Sequence, residues 1–183
     1  MDNNNKKLST PLPIDSPLPT DSPLPIDSPL LRRGRERLFR SSDILISKLK
    51  EFEGLRLVAY KPTKAERWYT IGYGHSAGDV RAGMRITEEK AEELLRRDLF
   101  FVEKFVNGIP KVKTQGQFDA LVSFTYNVGI GKLKASTLLK KIMHDAPTEE
   151  IQREFMKWVY SGGKKLNGLV TRRRWEAERW GDA

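Results

Sequence analysis

The stretch EFEGLRLVAYKPTKAERWYTIGYGH, Glu51 to His75, decides the fold, because one kind of secondary structure ends in it and another begins. Just upstream, Ser42 and Asp43 suit a helix start. Leu45, Leu49 and Phe52 follow at helical spacing, and Gly54 offers a stop. Beyond it Leu57, Val58, Tyr60, Trp68, Tyr69, Ile71 and Tyr73 are β-type residues, broken by Pro62 and the polar run 64–67. The pattern predicts a small antiparallel β region with a loop near 61–67. Glu53 then stands at the C-terminal end of a helix, where the helix dipole disfavours an anion. Burial in a cleft would act in the same direction. A carboxyl that keeps its proton near neutral pH is what a general acid requires.

Downstream the periodicity becomes helical. Thr87 can cap a helix that carries Ala91, Leu94, Leu95, Val102 and Phe105 as its apolar stripe and ends at Ile109-Pro110. Thr114 to Gln117 forms a capping-box pattern ahead of Phe118, Leu121, Val122 and Tyr126, with Gly129 as the stop. Ser136 starts a short helix to about His144, Thr148 caps one through Trp158, Gly162-Gly163 reads as a loop, and 168–180 is a final basic helix. Trp158, Trp175 and Trp180 read as core. The sum is a mostly helical α+β domain: one helix, a small sheet, then a helical lobe. Two-lobed forms of this kind leave a cleft between the lobes.

Composition narrows the chemistry. Cysteine is absent, which excludes disulfides and thiolate metal or redox sites. His75 and His144 are too far apart in sequence to suggest a metal cluster, so no metal and no cofactor is expected. No apolar run approaches the roughly 20 residues of a membrane span. No hydrophobic segment follows the first lysines, so no secretory signal is readable. Residues 11–30 repeat PLP(I/T)DS three times, a composition that points to an extended tether. With the basic stretch 31–40 it forms a tail, 1–40, ahead of one folded domain, 41–183. The net charge is +9, but residues 1–30 carry −2, so the remainder is +11, with 31 basic against 20 acidic residues. Such a domain favours a polyanionic partner.

Glu53-Gly-Leu-Arg-Leu, then Tyr60, then Tyr69-Thr-Ile-Gly-Tyr-Gly-His75 resembles the phage-type lysozymes of glycoside hydrolase family 24. The similarity continues through Ile86-Thr87, Asp98, Phe118-Asp-Ala-Leu-Val-Ser-Phe-Thr-Tyr-Asn-Val-Gly129, Ser136-Thr-Leu-Leu139 and Gly168-Leu-Val-Thr-Arg-Arg-Arg-Trp-Glu176, so it covers about 41–180. The resemblance implies a lysozyme-like two-lobed fold and hydrolysis of the β-1,4 bond between N-acetylmuramic acid and N-acetylglucosamine in bacterial peptidoglycan. It implies Glu53 as general acid and Thr70 as holder of the attacking water. It makes His75 and Asp98 a structural pair rather than a catalytic one, and brings Arg172 or Arg173 to the Glu53 or Glu51 region, where a positive charge would oppose the helix-end and burial effects on Glu53. Tyr126, Asn127, Thr137 and Ser76 match cleft positions that would bind the glycan. A monomer held in the host cytoplasm until lysis is the expected state.

The chain departs from that family at Pro62, which fills the place where a second carboxylate is expected, on a loop longer by two residues. Glu66 is the sole acid between Glu53 and Thr70. If 66–70 is extended, Glu66, Trp68 and Thr70 share a face, and Glu66 becomes the candidate base. Otherwise Thr70 acts alone or Asp79 supplies the carboxylate. Two other classes compete with hydrolysis: a wall-binding module that has lost catalysis, and a nucleic-acid binder suggested by Thr171-Arg-Arg-Arg-Trp175, for which no specific sequence is expected.

Overall fold

A computed structural model describes residues 38–63 and 66–182. The repeat tail and most of the basic stretch lie outside these residues. The elements run α1 (Asp43–Glu53), β1 (Arg56–Tyr60), β2 (Thr70–Gly72), β3 (His75–Ser76), α2 (Glu88–Asn107), α3 (Gln115–Val128), α4 (Ile130–Ala135), α5 (Thr137–Met143), α6 (Thr148–Phe155), β4 (Tyr160–Ser161), β5 (Lys164–Lys165) and α7 (Asn167–Gly181).

The predicted helix starts are made by side chains. The Ser42 hydroxyl accepts from Leu45 N–H at 3.2 Å. Thr87 accepts from Lys90 N–H. Thr114 and Gln117 close a reciprocal capping box at the start of α3. Helix α3 is the core of the molecule: Phe118 to Thr125 are all buried. Fully buried Asp119 on α3 joins three helices. It accepts from the Ser42 hydroxyl at 2.6 Å and from Arg179 Nη2, on α7, at 2.8 Å. Helix α7 crosses α3 so closely that a Cβ on Gly116 would lie 2.5 Å from the Arg179 carbonyl oxygen and 2.7 Å from that of Asp182. The packed chain reaches back to Phe39, whose ring stacks on Phe118 at 5.5 Å.

Strands β1, β2 and β3 form an antiparallel sheet in that order. Thr70 pairs with Ser76, and Ile71 with His75. Paired residues face the same side of a sheet. Ile71 packs with Val80 and Leu94, a small apolar cluster joining the sheet to α2.

Two local expectations are revised and two segments gain detail. Residues 66–69 are not extended: the backbone bends at Arg67–Trp68 and β2 begins only at Thr70, so the shared-face argument for Glu66 does not apply. Helix α4 follows Gly129 directly. Gly129 is the expected stop of α3, and buried Leu133 anchors the short helix after it. Helix α6 ends at Phe155, and Thr148 lies inside it after Pro147 rather than capping it. Gly162-Gly163 is the tight turn of the β4–β5 hairpin, both residues having positive φ. Trp180 is buried as expected, while Trp158 and Trp175 pack against the core from its margin.

Candidate active site

Glu53 is the last residue of α1, where Gly54 stops the helix. Its carboxylate is held by fully structured partners. Oε1 accepts from Arg172 Nη1 at 2.7 Å. Arg172 is itself almost inaccessible, and its other donors reach the Ser123 carbonyl at 2.9 Å and Glu176 Oε1 at 3.3 Å. Its guanidinium also lies over the Phe52 ring. Arg172 therefore cannot swing, and it fixes the direction in which Glu53 points.

Oε2 faces the other way, toward a polar cleft of about 340 Å³ lined by Glu53, Gly74, His75, Ser76, Ala77, Asp98, Tyr126 and Asn127. Gly74 has φ of +95°, a conformation that L side chains rarely adopt, and a Cβ there would stand 3.6 Å from Oε2 and 3.8 Å from the Tyr126 hydroxyl. Glycine at this position keeps open the wall nearest the free oxygen of Glu53. The Tyr126 hydroxyl donates to the Tyr73 carbonyl at 3.1 Å, which ties the end of α3 to the β2–β3 turn. Burial pushes that phenol well above its ordinary range, so it remains a neutral donor.

Thr70 is nearly buried at the start of β2, as the register partner of cleft-lining Ser76. His75, on the opposite face, turns toward α2. Its Nδ1 lies 2.8 Å from Asp98 Oδ2, and its Nε2 lies 3.0 Å from Asp79 Oδ1. Arg97 Nη2 reaches both His75 Nε2 and Asp79 Oδ2 at 3.0 Å. Asp79 thus has both oxygens engaged, and its carboxyl is held below the usual carboxylate range, first by His75 and then by Arg97.

A second charged cluster lies beneath the cleft. Glu176 is completely buried, which raises its carboxyl above the ordinary range against the pull of Arg173 and Arg172. Arg173 is also fully buried, which lowers it to about 10, so it is still charged at neutral pH. Its Nε is 3.2 Å from Glu176 Oε2, within ion-pair distance but misaligned for a hydrogen bond. Its Nη2 donates to Asn127 Oδ1 at 2.7 Å.

Of the site residues expected from sequence, Glu53, His75, Ser76, Asp98, Tyr126 and Asn127 come together around this cleft. Arg172 is the arginine that reaches Glu53, and Arg173 reaches Asn127 instead. Thr137 is exposed at the start of α5 and lies outside the lining set. Its neighbour Ser136 does not offer a free hydroxyl: it is buried, caps α5 and donates to the Leu133 carbonyl. Glu66 is exposed on the 61–69 loop, also outside the lining set. The sequence reading missed Gly74, whose place in Gly72-Tyr-Gly-His75 was a usable signal, and buried Glu176, for which no local signal exists. Among the described residues, no group of three or more His, Asp or Glu could hold a metal ion.

The phage lysozyme family model matches residues 50–176, which takes in both the Glu53 segment and the arginines of α7. The chain belongs to the phage lysozyme family. It is 53% identical over 135 residues to an endolysin of Bacillus phage B103, a match covering 72% of this chain and 50% of that protein. The chain spans about half the length of the Bacillus phage endolysins it matches. Among solved structures, the muramidase domain of SpmX from Asticaccaulis excentricus is similar at a TM-score of 0.71 and 33% identity, covering 79% of this chain and 99% of that one. The endolysin of the Escherichia coli phage FAHEc1 is similar at a TM-score of 0.65 and 38% identity, covering 79% and 94%. This lysozyme fold accounts for the two-lobed arrangement: the β1–β3 sheet on one side of Glu53, helices α3 and α7 on the other.

Proposed function

We propose that this phage lysozyme hydrolyses the β-1,4 bond between N-acetylmuramic acid and N-acetylglucosamine in bacterial peptidoglycan. The observation that carries the reading is Glu53: one oxygen is fixed by buried Arg172, and the other is open to the cleft. A carboxyl held in one direction can deliver its proton to the leaving glycosidic oxygen. Names of the matched relatives, endolysin and muramidase, support the substrate class.

In this mechanism Glu53 is the general acid. Thr70 holds the water that attacks from the opposite face of the sugar, and the reaction inverts the anomeric centre. Glu66, the sole acid between Glu53 and Thr70, is assigned as the base, on the loop where Pro62 replaces the usual acid. Asp79 is not given this role, because its carboxylate is directed at His75 and at Arg97 on α2. Ser76, Tyr126, Asn127 and Thr137 bind the glycan, while His75, Asp98, Arg172 and Arg173 hold the walls. The protein acts as a monomer. It waits in the host cytoplasm until the membrane opens, with the repeat of residues 11–30 as a tether ahead of the catalytic domain. Glu53 and Thr70 together favour this reading over a wall-binding module without catalysis.

Glu53→Gln tests it, since glutamine can still accept from Arg172 but has no proton to give. Clearing of a cell-wall suspension should fall by roughly 10²–10⁴-fold, with the fold intact by circular dichroism. Near-normal clearing by the folded variant would overturn the assignment.

A further inference from the structure

Asn127 lines the cleft from the last turn of α3 and is exposed to it. Its Oδ1 lies 2.7 Å from Arg173 Nη2. A guanidinium has donors and no acceptor, so the atom facing it must be the amide oxygen. The usual ambiguity between the two ends of an asparagine amide is removed here by the partner's chemistry. Nor can the partner turn away: Arg173 is fully buried, with its guanidinium 4.8 Å from the Phe124 ring centre and beside Glu176. Among the described residues Asn127 Nδ2 has no protein acceptor. Its two N–H groups are left for whatever occupies the cleft.

We infer that Arg173 is a specificity-determining residue that acts through Asn127. It holds the amide oxygen on its own side and leaves the two N–H donors for the cleft, a match for a carbonyl oxygen and a mismatch for an ammonium. On the glycan proposed above, the fitting group is the acetamido carbonyl of an N-acetyl sugar. The enzyme would thereby discriminate between N-acetylated strands and strands carrying free amines. This inference rests on the glycosidase reading.

The test compares cleavage of N-acetylated glycan strands with the same strands chemically de-N-acetylated. Wild-type enzyme should prefer the acetylated form. Asn127→Asp keeps an oxygen for Arg173 but offers the cleft no donor, and the residue is exposed, so the fold should survive. Its preference, read as the ratio of kcat/KM on acetylated to free-amine strands, should shrink by roughly five- to tenfold, because a carboxylate offers nothing to a carbonyl and attracts an ammonium. Arg173→Met should lose the preference in the same way, and Arg173→Lys, which again can only donate, should keep it. An Asn127→Asp enzyme with undiminished preference would overturn the inference, whether or not Arg173→Met folds. A folded Arg173→Met enzyme with full preference would overturn the part assigned to Arg173. Wild-type enzyme that fails to cut acetylated strands would instead overturn the glycosidase reading itself.

Discussion

Pro62 and Glu66 pose the sharpest question at the scale of single residues. The loop places Glu66 in solvent, four residues before Thr70, with a bend between them. Its side chain is exposed, so replacing it should leave the fold undisturbed. Glu66→Gln should lower the turbidity-clearing rate by roughly 10²-fold or more without changing thermal stability, as expected for loss of a catalytic base. Full activity in that variant would leave Thr70 to orient the water alone. Asp79 gives a different kind of prediction. Its carboxyl lies below the ordinary range in the folded protein because His75 and Arg97 bind its charged form. Its contribution to stability is therefore present above the unfolded carboxyl pKa of about 3.9 and is lost as pH falls through the lower folded value. Melting temperature followed from pH 6 down to pH 2 should decline less steeply in Asp79→Asn than in the wild type. Parallel curves would mean that the His75–Asp79–Arg97 contacts contribute nothing. More than half of Asp79 is exposed, so the effect should be small and should shrink further in salt.

Among the elements, those written in local chemistry were legible in the sequence. Ser42, Thr87 and Thr114 announce their helices because a capping hydroxyl acts within three residues. The sheet was legible as a β region, but its register was not. Thr70 opposite Ser76 and Ile71 opposite His75 depend on a tight turn and on packing against α2. Helix α4 was hidden because two glycines flank its first residue and a single buried leucine outweighs them. The crossing of α3 and α7 belongs to neither helix alone. Gly116 reads as a mild helix fault, yet it is what lets the Arg179 and Asp182 carbonyls approach. Gly116→Ala should cost about 2–3 kcal/mol, the effect of overpacking outweighing alanine's better helix propensity. A melting temperature lowered by several degrees is the expected result, and an unchanged or raised value would contradict the close crossing.

For the whole molecule, the ordered set of motifs from Glu53 to Glu176 carried more information than any one of them. The two ends of that set meet in the fold, where Glu53 and Arg172, 119 positions apart, form one ion pair. What the motifs could not supply was the sharing of roles between neighbours. Two adjacent buried arginines serve different sides of the cleft, one fixing the acid and the other fixing an amide, and only the packing of α7 on α3 separates them. The high positive charge of the domain suits approach to an anionic wall, but it does not define the bond that is cut. That bond is the central claim. Mass spectrometry of muropeptides released in ¹⁸O-labelled water tests it most directly. The account predicts one labelled oxygen at a new reducing-end N-acetylmuramic acid. Reducing-end N-acetylglucosamine, an unlabelled anhydro end, or free peptide would contradict it.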